Sequence, residues 1–228
     1  AFPAQAQKMT SGGGGNPNVF TDQALFDLVL ENPESGPDFT IIKTSTLDFD
    51  ARATYNAELK SLYNQIIEKM EPRKGLLEKI ETHQHVIYQA LMADLALENF
   101  ISRSDLSNTI VVLTSSFNPL VTQNEPHISQ FRVPLLIMHP GIKNPETFES
   151  VSTHRDIAPD LLSFLYSAYQ VELPDYVHWL GSGLDFSKPF RNIHSIPLVD
   201  GGQYDFMQGK YFLFRDNLFM ITPRMNMI

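Results

Sequence analysis

Cysteine is absent from this chain of 228 residues. That excludes disulfides, thiolate zinc sites and a cysteine nucleophile. It leaves the redox compartment open. Cations are in the minority: 17 Lys+Arg stand against 26 Asp+Glu, a net charge of -9. This argues against nucleic acid or an anionic membrane surface as the main partner, because binding there rests on clustered cations. No apolar run reaches the ~18–20 residues needed to span a bilayer, so no membrane contact is expected within the chain. The opening AFPAQAQKM has no hydrophobic signal region, so a signal peptide or anchor is expected to have been removed or to lie outside this chain. What is present is a hydrophobic fraction of 43% beside a charged fraction of 19%, enough to bury a sizeable core. The length suits one large domain or two small ones.

Residues 1–18 contain SGGGG followed by NPN. Consecutive glycines carry a large ordering entropy, so this stretch reads as a flexible lead-in. Thr21 is a good N-cap for a helix from Asp22 to Glu31, with Leu25, Phe26, Val29 and Leu30 as its apolar stripe. Asp38 to Thr46, DFTIIKTST, is short and β-branched and predicts a strand. LDFDARATYN reads as a loop leading into a helix from Ala57 to Met70. Pro72 can start a second helix from about Arg73 to Ile101, along which Ile87, Ala90, Leu91, Leu97 and Ile101 recur at helical spacing. His83 and His85 sit two apart, point to different faces and read as surface residues.

Thr109 to Thr114, TIVVLT, and Val133 to Met138, VPLLIM, are apolar on consecutive positions. That pattern predicts central parallel strands covered on both faces. The polar loop Ser115 to Arg132 joins them, and such loops at strand ends are where α/β folds place their chemistry. Thr153 caps a helix from about Arg155 to Ala168, with Ile157, Leu161, Leu162 and Leu165 inward. Pro159 is expected in or just after its first turn, where the missing N–H costs little. Beyond Gly181-Ser182-Gly183 the texture changes. Short alternating runs over 190–223, split by DGG, QGK and RDN, predict an antiparallel β-meander. The expected organisation is a lead-in at 1–18, an α/β body at 19–180 and a meander tail at 181–228.

Several segments, in order, resemble the C-terminal half of the sulfatase/alkaline-phosphatase-like superfamily. MADLALENFI (Met92 to Ile101), TIVVLTSSFN (Thr109 to Asn118), FRVPLLIMHPGI (Phe131 to Ile142) and VSTHRDIAPDLLSFL (Val151 to Leu165) carry the likeness. HWLGSGLD, FRNIHSIPL and GKYFLFRDNLFMI look most like lipoteichoic-acid-synthase-like sulfatase family membrane proteins of Bacteroidota. The resemblance spans roughly residues 20–222. It implies part of an alkaline-phosphatase-like three-layer sandwich with a mostly parallel sheet. It also implies a parent activity on sulfate or phosphate esters with a divalent metal such as Mn, Mg, Ca or Zn, and a location in the periplasm or on the extracytoplasmic face of the envelope.

The family's Asp-His-Gly metal motif aligns here with Ser116, Phe117 and Asn118. A neutral serine is a poor divalent ligand and a phenylalanine is none. The family histidine expected after the first strand has no counterpart in STLDFDARATY, where only Asp48 and Asp50 stand near. The half that carries the nucleophile in the family does not match any part of this chain. The chain is therefore expected to hold no metal or other cofactor and to have no catalytic residues. It reads as a non-catalytic structural or binding element of an envelope protein, whose partner is another protein or the missing half of its own domain. The alternative is the C-terminal fragment of a metal-dependent sulfatase or phosphoglycerol- or phosphoethanolamine-transferase-like enzyme. A third reading is a small-molecule-binding α/β domain using the loop 115–132.

The remaining candidates are few. By resemblance, His127 is a substrate-binding position, against the plainer reading of a loop histidine beside Pro126. Arg132 could pair with an anion but sits where surface ion pairs form. Asp156 matches a family aspartate with a structural place at a helix N-terminus. Asp48 and Asp50 alone are weak cation ligands. Phe117 and Leu120 would make an apolar contact surface where an active-site mouth stood. Trp179, with His178, reads as packing against the tail. Gly181-Ser182-Gly183 is too short to cradle a phosphate, and no serine lies in a nucleophile elbow.

Overall fold

The structure, a computed structural model, describes residues 22–32, 36, 38–44, 57–72, 74–116, 118, 127–178, 180–200, 203–223 and 227–228. The chain divides into two compact units, residues 1–110 and 111–228. No helix among the described residues is long and apolar enough to cross a membrane.

The first unit is helical. Helices α1 (Asp22–Glu31) and α2 (Ala57–Met70) have the expected bounds. On α1, Phe26 is buried and stacks on Phe100 with ring centroids 4.8 Å apart. The long helix expected from Arg73 is instead two, α3 (Lys74–Thr82) and α4 (Gln84–Arg103), broken at His83 with φ -108 and ψ 22. Thr82 and His83 are both weak helix formers. The break has a packing reason as well. Ile80 and Tyr88 lie in one core with Leu59 and Tyr63 of α2. In a straight helix, eight residues would turn them about 80° apart. Tyr63 and Tyr88 stack at 4.5 Å.

The strand predicted over Asp38 to Thr46 does not form in its described part, residues 38–44. Residues 38–44 join no sheet among the described residues, and Phe39 and Ile41 are each 79% exposed. Strand propensity is largely a measure of packing against a partner, and without one it does not make a strand.

In the second unit, β1 (Val111–Thr114) and β2 (Leu135–Met138) pair antiparallel, Val111 opposite Met138 and Thr114 opposite Leu135. The expectation that both are strands of a parallel sheet is thus corrected for these two, which run antiparallel to each other. A parallel pair needs a crossover, usually helical, whereas the described part of their connection holds only a short 3-10 helix, His127–Phe131. Helix α5 (His154–Tyr169) begins at a full capping box between Thr153 and Asp156 and ends at Gln170 in the left-handed conformation, φ 54. Pro159 lies deeper than the first turn. Its missing N–H leaves the Arg155 carbonyl without a helical donor. Gly181 packs at that carbonyl, so closely that a β-carbon there would stand 1.8 Å from the oxygen.

The meander forms as predicted: β3 (Ser195–Asp200), β4 (Gln203–Gln208), β5 (Tyr211–Phe214) and β6 (Asn217–Met220), each antiparallel to the next. The β5–β6 turn is Arg215-Asp216, with φ 46 and 66. Positive φ at both central residues is the twist-matched hairpin geometry. Buried Asp205 braces it by accepting the Arg215 N–H at 3.1 Å. Alternation sends Met207, Phe212 and Phe214 to one face, where they form a core with Ile196, Ile221 and Ile128 of the 3-10 helix. Phe212 is fully buried. Replacing Phe212 with Ala is expected to cost about 3–5 kcal/mol, read as a lowered denaturant midpoint with unchanged slope.

Candidate functional site

The C-terminal end of β1 is where the loop expected to carry the chemistry begins. Three segments meet there. Thr114 Oγ1 lies 2.9 Å from the Pro134 carbonyl and 3.0 Å from His154 Nε2. The hydroxyl has one proton, and the carbonyl can only accept. Thr114 therefore donates to Pro134 and accepts from His154, which presents its Nε2–H. That is the reverse of a nucleophile–base pair, in which the imidazole must take the hydroxyl proton. Ser116 is exposed. Asn118 Nδ2 donates to the Ser129 carbonyl at 3.1 Å, tying the strand-end loop to the 3-10 helix.

The sequence candidates scatter. His127 is stacked on Phe214, centroids 4.3 Å apart and planes 19° off parallel, so the meander holds its ring. Arg132 is exposed at the end of the 3-10 helix. Phe117, Leu120, Asp48, Asp50 and Trp179 lie outside the described residues, as does the lead-in 1–18. His178 is exposed, as is His85, while His83 is half-buried. Among the described residues no three His, Asp or Glu side chains converge as a metal site would require.

What the sequence reading missed is a buried polar knot between α5 and the segment before the meander. Asp156 is 2% exposed. Its Oδ2 accepts from Thr153 N and Thr153 Oγ1, both at 2.7 Å, and its Oδ1 accepts from Ser182 N at 3.0 Å. Asp160 accepts the Leu184 N–H. Asp185, also buried, receives both Nε and an Nη of Arg191 at 2.7 Å, while its own N–H goes to Ser152 Oγ. Gly181 and Gly183 fit their roles: the first by its contact with α5, the second by φ +103 against Asp160. The GSG triplet is thus a strap over the start of a helix. Its only sequence signal was the pair of glycines.

His194 closes the knot. Its Nδ1 lies 3.3 Å from Ser182 Oγ and 3.7 Å from Asp156 Oδ1. A serine, a histidine and an aspartate meet here, but both partners face the same nitrogen. A triad needs them on opposite nitrogens. Nε2 is buried and has no hydrogen-bond partner among the described residues. The arrangement is one of support, not of proton relay.

The charges agree. Burial pushes the Asp156 carboxyl up, but the bonds from Thr153 and Ser182, with a smaller electrostatic contribution from the nearby His194, outweigh it and leave it below its ordinary 3.8. The Arg191 guanidinium holds Asp185 low and is itself held protonated by it.

Comparison with protein-family models, curated proteins and solved structures finds no match to this chain.

Two outcomes follow from the knot. Because Asp156 is lowered in the folded chain, the unfolded chain takes up its proton first as pH falls. Its stabilisation is full above about pH 5 and disappears through the acid range below. Urea midpoints measured from neutral to acid pH are expected to fall along that limb. Asp156→Asn should flatten the limb and lower neutral stability by about 2 kcal/mol. Gly181→Ala, driven into the Arg155 carbonyl, is expected to cost about 3 kcal/mol or more, seen in the thermal midpoint.

Proposed function

We propose that this chain is part of a sulfatase/alkaline-phosphatase-like domain that does no ester chemistry by itself and serves as a structural or binding element of a bacterial envelope protein. The observation that carries the reading is the state of the β1 end. Where a metal-dependent esterase of this kind needs carboxylates and imidazoles around a cation, this chain has Thr114, Ser115, Ser116 and Asn118. The Thr114 proton is committed to the Pro134 carbonyl. The placement of the VSTHRD segment supports the same reading. Asp156 spends its lone pairs on Thr153 and Ser182, so it frames the helix and has no free face for a ligand.

The fold expected with this reading is the three-layer sandwich, and the envelope location and protein partner go with it. A second reading, the C-terminal fragment of an active enzyme, draws on β1 and β2. Their side chains are apolar on both faces, yet Leu136 is 51% exposed and β1 is only half-buried. A two-stranded sheet is marginal alone, and strands of such composition ordinarily lie under cover on both faces. Further strands of the same domain, carried by another stretch of polypeptide, would supply it.

The test is direct. Isothermal titration with Mn²⁺, Zn²⁺, Ca²⁺ and Mg²⁺, and turnover of p-nitrophenyl phosphate and p-nitrophenyl sulfate, are expected to show no stoichiometric binding and no rate above buffer. Tight divalent binding that Ser116→Ala or Asn118→Ala abolishes would sink the non-catalytic reading. Turnover that appears only with an added upstream polypeptide would select the fragment.

A further inference from the structure

The meander has two apolar faces, and only one is used by its own core. β-strand alternation puts Phe212, Phe214 and Met207 inside. The same alternation puts Phe206, Gln208, Tyr211, Leu213, Leu218 and Met220 on the other side. Leu218 is 67% exposed, Tyr211 49%, Leu213 39%, Phe206 37% and Met220 36%. At about 200 Å² for each large side chain, these leave on the order of 450 Å² of apolar surface in one patch. That is the size at which a patch on a soluble chain ceases to be incidental. A shallow hollow of about 420 Å³ lies among Phe206, Gln208, Tyr211, Leu213 and Leu218.

We propose that this face is a self-association surface, on which a second copy of the chain packs sheet against sheet about a twofold axis. The proposal is independent of the sulfatase-like reading. Three features select a copy as the occupant. First, the six side chains carry no charge. A molecule of net charge -9 repels its own copy, and an uncharged face is where the two meet at least cost. Second, the area suffices for such a contact. Two such patches bury roughly 900 Å², and more with the rim, which is the lower end for specific interfaces and fits a reversible dimer. Third, the rim is self-complementary. Lys210, whose Nζ lies 5.5 Å from the centroid of the outward Tyr211 ring, sits on the turn before β5, and Asp216 on the turn after it. An axis running across the strands brings Lys210 of one copy to the Asp216 end of the other. It also sets Tyr211 over Leu213 of the second copy.

Sedimentation of the full chain from low to high micromolar concentration tests this. The expected result is a monomer–dimer equilibrium with a midpoint on the order of 10–100 µM, as an interface of this size allows. Leu218→Asp should leave a monomer at every concentration, with the same circular dichroism and melting curve. The chain has no cysteine of its own, so paired labels are clean. A mixture of Tyr211→Cys and Leu213→Cys chains should cross-link under oxidation, and neither variant should do so alone. A wild-type monomer throughout overturns the proposal. So does a dimer indifferent to Leu218→Asp. If the chain stays monomeric and Leu218→Asp lowers its melting point, the face is covered by the chain's own residues, and the proposal fails equally.

Discussion

The second unit depends on one carboxylate. Asp156 is the third residue of α5, and its two oxygens gather the donors of both the residue that opens the helix and the strap that crosses it. A buried carboxylate without such donors would cost several kcal/mol. With them, it fixes where α5 starts and where Gly181 to Asp185 lies. Ser182 then meets His194, and the next residue, Ser195, opens the meander. The backbone bond from Val151 N to the Arg191 carbonyl, 2.8 Å, ties the residues before α5 to the segment before the meander. Remove the charge and the helix start, the strap and the entry to the sheet lose their common anchor.

That geometry also shows how residues of a hydrolase's types can be bound up in one another's placement. Ser182, His194 and Asp156 are the residue types of a hydrolase, but every short contact among them is spent on position. Thr114 and His154 are similar: a hydroxyl and an imidazole 3.0 Å apart, with the proton already assigned elsewhere. Residue type alone overstates what such groups can do. The neighbouring carbonyl, in this case Pro134, decides the direction of the hydrogen bond.

Local signals in the chain were the readable ones. α1 is legible from Thr21 and its apolar stripe, α5 from Thr153 and its inward Ile157, Leu161, Leu162 and Leu165, and the meander from its turn residues and alternation; the Thr153–Asp156 capping box is a finding of the structure. The misreadings are all non-local. Residues 38–44 have a strand's composition and join no sheet among the described residues. The break at His83 answers to where Ile80 and Tyr88 must point, which depends on α2. The relative direction of β1 and β2 was inferred from composition. Apolar side chains on consecutive positions report burial on two faces and say nothing of direction. Of the candidate site, Asp156 was recognised as structural from its place in the helix. His194 and Asp185 were not, since a lone histidine and a lone aspartate carry no pattern. Their partners lie 38 and 6 residues away, at Asp156 and Arg191.

The meander's connectivity has a kinetic consequence. Every strand pairs with its sequence neighbour, and the two-residue turn at Arg215-Asp216 brings Phe214 directly opposite Asn217. Contacts so close along the chain close small loops, and hairpins of this kind form in about microseconds. The contacts that bind α5 to its strap span much longer stretches and come at a greater entropic cost. This connectivity favours an order of assembly: the C-terminal sheet can zip from its tightest turn while the rest of the unit is still searching, and its inner face is then ready to receive Ile128 of the 3-10 helix.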